Sequence, residues 1–206
     1  MRKFFKNSLI ILILFTIFFI INAYSYATNV SASLTDNIFR LHILANSDSE
    51  ADQALKLKVR DAIIEYMETL AYDISNKDEV IELSKAHSED FQKIAENVIC
   101  QNGYDYAVNI EFVNLYFPTK HYVNISLPEG NYDALKIEIG AANGQNWWCS
   151  LFPPLCFVSV SSGVIDKEGE EYLKENLSDE EFAIVSNSSP ELEFKFKIIE
   201  MINGRS

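Results

Sequence analysis

The amino-acid sequence predicts an α+β fold, with one mostly antiparallel sheet and two amphipathic helices after the first strand. Three observations support this fold class. Residues 38–44 alternate between apolar and polar side chains, two helical stripes follow, and alternation returns between residues 106 and 152. No internal repeat is present and no linker is long enough to divide the chain, so we expect a single α+β domain.

The first predicted strand covers residues 38–44. Phe39, Leu41 and Ile43 share one face, whereas Arg40 and His42 share the other. An alternation of this kind is typical of a strand with one face in the core and one in solvent, so the pattern predicts a half-buried strand.

A cluster of helix-capping residues precedes the first helix. Ser47 with Glu50 has the spacing of a capping box, and Ser49 with Asp52 is the alternative. One helical face carries the apolar residues Leu55, Val59, Ala62, Ile63, Tyr66 and Leu70. Asp52 and Lys56 are four residues apart, so we expect them to pair on the exposed side.

The second helix is predicted to begin at Ser75 and Asp78 by the same capping logic. It should end near Asn102-Gly103, a combination that is common where helices stop. Its apolar stripe consists of Val80, Leu83, His87, Phe91, Ile94 and Val98.

Period-two patterns dominate the region after the second helix. Residues 106–112 alternate, Pro118 ends the run, and residues 122–127 alternate again. Two antiparallel strands joined by a tight connection fit this pattern best.

Two more strands are predicted at 135–139 and 147–152, with Asn143-Gly144 as the turn between them. The chain becomes polar and irregular after residue 160. A short helix is expected near residues 170–175. The segment 191–202 fits a strand or a helix equally well.

Residues 1–27 read as an export signal, and residues 28–206 form the remaining domain. A basic start is followed by 13 residues, Leu9 to Ile21, that are apolar except for Thr16. Because a spanning helix needs about 20 such residues, and Ser25-Tyr26-Ala27 offers a cleavage site, we expect cleavage after Ala27. An uncleaved membrane anchor is the alternative. Both interpretations place the rest of the chain outside the cytoplasm.

The charge of the chain excludes some partners. The sequence has 17 basic and 30 acidic residues, for a net charge of −13, and loss of the three basic residues of the export segment leaves −16. A surface this acidic repels nucleic acid and anionic lipid headgroups. The apolar content of 48% is too high for a disordered chain.

The three cysteines are Cys100, Cys149 and Cys156. Cysteines outside the cytoplasm tend to pair, and a bridge between Cys149 and Cys156 would close a small loop that contributes about 2–3 kcal/mol. Cys100 falls near the end of an amphipathic helix and is predicted to be a buried free thiol.

Metal binding is the first chemistry that the sequence suggests and then disfavours. Oxygen-bearing residues alternate from Asn46 through Asp48 to Asp52, as in a calcium loop. However, Ala51 and Leu57 occupy the positions where such a loop needs glycine and glutamate. Helix capping explains these residue types, so no metal site and no cofactor are predicted.

A second segment, residues 146–157, contains both tryptophans of the chain. Trp147 and Trp148 face opposite ways in a strand, so one ring can join the core while the other cannot easily do so. A rigid, proline-containing loop of this kind suits a contact surface, and packing of both rings under a neighbouring loop remains the alternative.

Nucleophilic catalysis is the weakest of the candidate functions. Cys149 or Cys156 would need His42, His87 or His121 as a base, and nothing in the sequence brings these residues together. His87 lies on an apolar stripe and is predicted to be a core residue. The sequence contains no phosphate-binding loop, His-Glu-x-x-His or Gly-x-Ser-x-Gly motif. We therefore expect no enzymatic activity.

Two blocks of sequence resemble the stage II sporulation protein R family. The first block consists of residues 40–49 with 52–56 and 59–61, and the second consists of residues 146–149 and 151–157. The resemblance runs from about residue 36 to residue 158 and does not include the tail after residue 160. An N-terminal export segment also fits the family.

The resemblance implies a signalling role. Members of the family are made in the forespore and exported into the space between the forespore and mother-cell membranes. There they activate a membrane-embedded aspartic protease of the mother cell, which processes the precursor of the transcription factor sigma-E. The alternatives are an extracytoplasmic cysteine-dependent hydrolase and an envelope or cell-wall binding domain.

We expect the protease to be contacted by residues of both blocks, because the second block is apolar and rigid within an otherwise acidic domain. The candidate contact residues are Trp147, Trp148, Phe152, Pro153, Pro154, Leu155 and Phe157 from the second block, with Asn46, Asp48 and Arg60 from the first.

Overall fold

The computed structural model of the chain describes residues 2–70, 74, 76–121, 125–152 and 167–186. The helices are α1 (Arg2–Asn37), α2 (Glu50–Leu70), α3 (Lys77–Ala86), α4 (Ser88–Gln101), α5 (Lys167–Asn176) and α6 (Asp179–Ser186). The strands are β1 (Phe39–Leu44), β2 (Val108–Phe117), β3 (Lys120–His121), β4 (Ser126–Leu127), β5 (Gly130–Ile139) and β6 (Asn146–Phe152).

Four of the strands form a mixed sheet in the order β2-β5-β1-β6. Strand β1 is parallel to β5 and antiparallel to β6, so that Leu41 lies between Leu135 and Cys149. Strands β2 and β5 are antiparallel along their whole length. This arrangement confirms the predicted α+β class and the mostly antiparallel sheet.

Strand β1 is buried on both faces, and the prediction of a half-buried strand was wrong. The side chains of Phe39, Leu41 and Ile43 join the core between the sheet and helices α2 and α4. Arg40 is fully buried and His42 is 6% exposed on the other face. A period-two pattern does not reveal that a second layer covers the polar face.

That second layer forms a separate core. It includes Leu34 at the end of α1, residues of α5 and α6, and strand residues such as Phe117 and Tyr132. The Arg40 guanidinium lies over the rings of Phe117 and Tyr132, at 4.7 and 5.1 Å from their centroids. Aromatic faces attract such a cation, which explains how Arg40 is accommodated there.

The predicted pairing of residues 106–112 with 122–127 was wrong. Strand β2 instead pairs with β5, from Val108 opposite Ile139 to Phe117 opposite Gly130. Ser126 and Leu127 pair with β3 in a separate two-stranded ribbon, and residues 122–124 lie outside the described ones. Alternation indicates a strand but does not name its partner, and the two ten-residue strands match in length.

The strands predicted at 135–139 and 147–152 are confirmed as β5 and β6. The two do not pair with each other, because β1 lies between them. The connection around Asn143-Gly144 therefore has to cross the end of β1 and span two strand spacings, about 10 Å.

The first predicted helix is confirmed as α2, with Leu55, Val59 and Ile63 buried against the sheet. The predicted location of Asp52 and Lys56 on the exposed side was wrong, since both are buried. Lys56 bonds to the segment that crosses β1, and Asp52 bonds to Asn46 and Ser47 in the turn before the helix.

The second predicted helix is two helices, α3 and α4, separated at His87. The backbone of His87 leaves the helical region, with φ −103° and ψ 17°. Helix α3 is capped by Asn76, whose side-chain oxygen accepts from the Glu79 N–H at 2.9 Å, so the predicted start was one residue early. Ser75 lies outside the described residues.

His87 is a bonded residue of the helical layer rather than the predicted core residue. Its Nδ1 lies 2.9 Å from both Tyr66 Oη and Asp90 Oδ2, and its side chain is 33% exposed. Because the helix is interrupted at His87, the His87 ring points toward Tyr66 on α2 and does not continue the apolar stripe.

Helix α1 runs through the predicted cleavage point, and its large apolar side chains between Leu9 and Ile21 are exposed. Within the described residues, no helix combines the length and the hydropathy that a membrane crossing requires. The predicted boundary at residue 27 stays a prediction. The short helix expected near residues 170–175 is confirmed as α5, and residues 191–202 lie outside the described ones.

The buried face of α2 generates a prediction about stability. We expect Ile63→Ala to lower the free energy of unfolding by about 2–5 kcal/mol, because it leaves a cavity in a fully buried site. Urea unfolding followed by circular dichroism measures the change. The matched control is Glu65→Ala on the exposed face of the same helix, which should change the value by less than about 0.5 kcal/mol. Equal losses in the two variants would contradict the assigned packing.

Candidate functional site

The first sequence block folds into a corner, residues 45–53, between β1 and α2. Ser49 is the residue before the helix, and its Oγ accepts from the Asp52 N–H at 3.1 Å. The Ser49 N–H donates to Ser47 Oγ at 3.2 Å. Of the two predicted caps, Ser49 with Asp52 is therefore the one whose serine hydroxyl accepts from the backbone N–H three residues later.

The Asp52 carboxylate holds the corner together. It accepts hydrogen bonds from the Ser47 hydroxyl and, at 2.9 Å, from Asn46 Nδ2. These bonds, with Ser47 contributing most and Tyr106 adding another, hold the pKa of Asp52 below its usual range in spite of its burial. A charged carboxylate thus organises the corner through these hydrogen bonds. Among the described residues, no cluster of metal-ligating side chains occurs.

The corner binds the segment that crosses β1, which we call the crossover, residues 140–145. Asn46 Oδ1 accepts from the Ala141 N–H at 2.9 Å, and Asp48 Oδ1 accepts from the Gln145 N–H at 2.7 Å. The Gly144 N–H donates to the Ala45 carbonyl at 2.9 Å. These bonds satisfy backbone groups that no neighbouring strand can reach.

Two glycines permit the close approach between the corner and the crossover. Gly140 has a positive φ of 59°, and a Cβ there would lie 2.4 Å from Asn46 Oδ1. A Cβ on Gly144 would lie 2.3 Å from the Ser47 carbonyl oxygen. Any side chain at these positions would push the crossover away from the corner.

Two side chains of helix α2, Lys56 and Gln53, add further bonds to the crossover and the corner. Lys56 Nζ donates to the Gln145 carbonyl at 2.8 Å and to Gln53 Oε1 at 2.7 Å. Gln53 Nε2 donates to the Ser47 carbonyl at 2.9 Å. Burial lowers the pKa of Lys56. Sequence reasoning missed the roles of Gln53, Gln145 and both glycines, although glycine and asparagine around residue 143 indicated a tight turn.

The crossover delivers Trp147 to the helical face of the sheet. Its ring lies under Arg60, whose Cζ is 4.3 Å from the ring centroid. Arg60 donates from both Nε and Nη2 to a single oxygen, Asp61 Oδ1. Trp147 is half-buried and packs at the edge of the first core.

Trp148 lies on the opposite face, beside the second core. Its ring is 5.7 Å from that of His42 and 5.6 Å from that of Phe117, between centroids. Both tryptophans are therefore half-buried, each on its own face, and the expectation that one of them could not easily be packed was wrong. Both faces of the sheet are covered, which the sequence pattern did not reveal.

His42 connects Trp148 to the start of β6. Its Nε2 lies 2.7 Å from Asn146 Oδ1, so the neutral ring donates from Nε2. Burial is the largest influence and lowers the pKa of His42, against the opposing effect of the Asn146 bond. The nearby charges are Lys136 and Glu138. His42 is neutral at pH 7 in this environment.

The predicted contact residues are only partly brought together. Asn46 and Asp48 bind the crossover, Arg60 covers Trp147, and Trp148 lies on the other face. Phe152 is 4% exposed and belongs to the core. The remaining candidates, Pro153, Pro154, Leu155 and Phe157, lie outside the described residues.

The cysteines differ in state. Cys149 is disulfide-bonded and buried, so it is not a free thiolate, and His42 faces the other side of the sheet. Its predicted partner Cys156 lies outside the described residues, and that pairing stays a prediction. Cys100 is free but exposed, so its predicted burial was wrong: the neighbouring Ile99 takes the core-facing position of α4.

The fold and this site define an α+β domain in which two distant sequence motifs are joined into one end of a sheet by hydrogen bonds. The sequence profile of the stage II sporulation protein R family matches residues 35–162. The chain therefore belongs to the stage II sporulation protein R family. Both motifs and every residue of the corner and the crossover fall within the matched range.

One curated relative shows the same relationship. The chain is 38% identical over 143 residues to stage II sporulation protein R of Bacillus subtilis (strain 168). The alignment covers 69% of this chain and 64% of that relative, so the chain spans less than two thirds of the relative's length. No solved structure matches the chain.

The bonds of Asn46 generate a second prediction. We expect Asn46→Ala to lower the free energy of unfolding by about 1–3 kcal/mol, because Asp52 and the Ala141 N–H each lose a partner. Hydrogen exchange should accelerate selectively at the Ala141 amide. Asn109→Ala is the control, because Asn109 is exposed and bonds to the Glu138 carboxylate on the neighbouring strand β5. Unchanged exchange at Ala141 would contradict the role assigned to Asn46.

The buried ring of His42 generates a prediction about pH. In the unfolded chain, His42 takes up a proton near pH 6.5. In the folded chain the pKa of His42 is lowered by burial, so the ring takes up a proton only at lower pH. Stability from the neutral ring is fully present above about pH 6.5 and is lost as the pH falls toward the folded pKa. As the pH is lowered, the free energy of unfolding should therefore fall more steeply for wild type than for His42→Gln. The two slopes should differ by up to about 1.4 kcal/mol per pH unit.

Urea titrations at a series of pH values between about 7 and 5 measure this difference. The uncharged glutamine cannot titrate and can still bond to Asn146, so it isolates the proton uptake from the loss of packing. Parallel curves for the two proteins would show that His42 is not held neutral by the fold.

Proposed function

We propose that this chain is an exported sporulation signal that activates a membrane-embedded aspartic protease of the mother cell and so triggers processing of pro-sigma-E. The observation that carries the proposal is the match of residues 35–162 to the stage II sporulation protein R family. On this proposal the chain is made in the forespore, acts from the space between the two membranes, and has no catalytic activity of its own.

The geometry of the second motif supports a docking role for this end of the domain. Strand β6 lies at one edge of the sheet as far as the described strands go, and it carries two half-buried tryptophans, one on each face. Large aromatic side chains that are partly exposed and rigidly held are the residues that dominate binding energy in interfaces. The corner and the crossover fix where this edge begins.

The corner residues contribute to docking through position rather than contact. The side-chain oxygens of Asn46 and Asp48 accept hydrogen bonds from the backbone of the crossover. Of the residues predicted to contact the protease, Trp147 and Trp148 are the described ones with partly exposed side chains. Arg60 is buried over Trp147, and Phe152 supports this end of the sheet from the core.

Complementation of a Bacillus subtilis strain that lacks its own stage II sporulation protein R tests the proposal. The full chain should restore cleavage of pro-sigma-E, measured by immunoblotting. A chain without residues 2–27, which would stay in the forespore cytoplasm, should not restore it. Full cleavage with that truncated chain would show that export is not required.

Two tryptophan variants test the docking edge in the same assay. We expect Trp147→Ala and Trp148→Ala each to reduce cleavage by about tenfold or more at normal protein levels, as loss of an aromatic hot spot does. The control is Phe112→Ala, which truncates a half-buried aromatic side chain on β2 at the opposite edge of the sheet. If both tryptophan variants match the control, β6 is not the docking edge.

A further inference from the structure

The charge of the site is opposite to the charge of the chain. The whole chain has a net charge of −13, yet three of its buried charged side chains are the cations Arg40, Lys56 and Arg60. Lys56 and Arg60 lie one turn apart on α2. Burial is the main cause that lowers the pKa of Lys56, and the charge of Arg60 adds to it while that of Asp48 opposes it. Burying like charges next to each other is costly, so this pair calls for an explanation.

Neither cation donates a hydrogen bond to a buried carboxylate in the part of the chain that the structure describes, although the charge of Asp48 acts on Lys56. Lys56 donates to two neutral oxygens, those of Gln53 and Gln145. Arg60 pairs with Asp61, which is the next residue on the helix and has a side chain that is 64% exposed. Neighbouring positions on a helix do not face each other, so Asp61 reaches Arg60 only from the solvent side.

The Arg60–Asp61 contact uses the guanidinium incompletely. Nε and Nη2 both donate to Asp61 Oδ1, whereas an incoming carboxylate can accept two parallel bonds through two oxygens. The third nitrogen, Nη1, and the indole Nε1 of Trp147 are buried without a hydrogen-bond partner among the described residues. The site thus holds more donors than acceptors beside a ring that already binds a cation.

We propose that Arg60, backed by Lys56 and Trp147, receives an Asp or Glu side chain of the partner protein, which replaces Asp61 on the guanidinium. Asp61 is itself a side-chain carboxylate, and it shows that such a group fits at this position. The inference rests on the proposed function, because it names the chemistry by which the same docking edge recognises its partner.

The acidity of the rest of the chain does not prevent this contact. At an ionic strength of 0.1 M, charges further apart than about 10 Å are largely screened. Among the charges that act on Lys56 and Arg60, two cations are balanced by Asp48 and Asp61. Removal of the Asp61 charge should therefore leave an excess of positive charge that favours an anion.

Binding of labelled peptides to the full chain, measured by fluorescence polarisation, tests the inference without any protease. The probes are capped tetra-glutamate, tetra-glutamine and tetra-lysine peptides, and an uncapped tetra-glutamine peptide with a free terminal carboxylate. We expect Asp61→Asn to bind tetra-glutamate about fivefold more tightly than wild type. Arg60→Gln should bind it about tenfold or more weakly, and Arg60→Lys should lie between, because lysine cannot donate in a fork.

Glu65→Gln is the matched control for Asp61→Asn. It removes one negative charge from an exposed position one turn further along α2, so it changes the net charge equally without freeing Arg60. Equal tightening in both variants would overturn the inference, as would preferred binding of tetra-lysine or of the free terminal carboxylate. Asp61→Asn keeps the test valid if Arg60→Gln fails to fold, since Asp61 is largely exposed.

The cleavage assay separates this inference from the proposed function. If the wild-type chain does not restore cleavage of pro-sigma-E, the proposed function fails, while the peptide results still decide the chemistry of Arg60. If cleavage is restored and Arg60→Lys and Asp61→Asn leave it unchanged at normal protein levels, the carboxylate of the protease does not bind here and the inference fails.

Discussion

The crossing of residues 140–145 over the end of β1 is the constraint on which this domain depends. Strands β5 and β6 follow each other in sequence but flank β1 in the sheet, so their connection cannot be a hairpin turn. Its backbone groups have to find partners elsewhere, and Asn46, Asp48 and the carbonyl of Ala45 provide them. The first sequence motif supplies one side of this joint, and the crossover that forms the other side leads directly into the second motif.

The same constraint explains why a charged carboxylate is buried at the start of α2. Asp52 is surrounded by donors that lower its pKa, and in return it orients Asn46 Nδ2 so that Asn46 Oδ1 faces the Ala141 N–H. An amide side chain suits this position because it donates on one side and accepts on the other. The motif thus combines helix capping with a tertiary clamp.

The strands and helices could largely be predicted from the sequence, whereas their partners and second layers could not. Alternation located β1, β5 and β6, and the stripe of α2 identified its buried face. The pattern placed Arg40 and His42 in solvent, because period two distinguishes the faces of a strand but not whether a polar face is covered. It also joined α3 to α4, since the apolar spacing continues across His87, and only the backbone dihedrals of His87 reveal the break.

In the candidate site too, the local structure could be predicted from the sequence, whereas the tertiary contacts could not. Residue types predicted a capped corner and an aromatic segment, but only the tertiary bonds show that the corner sets the position of β6. Trp147 and Trp148 point to opposite faces of β6, so a shift of this strand by one residue would exchange their environments. A clamp that fixes Gln145, the residue before β6, therefore controls the position of both rings at once, through residues that lie outside the strand.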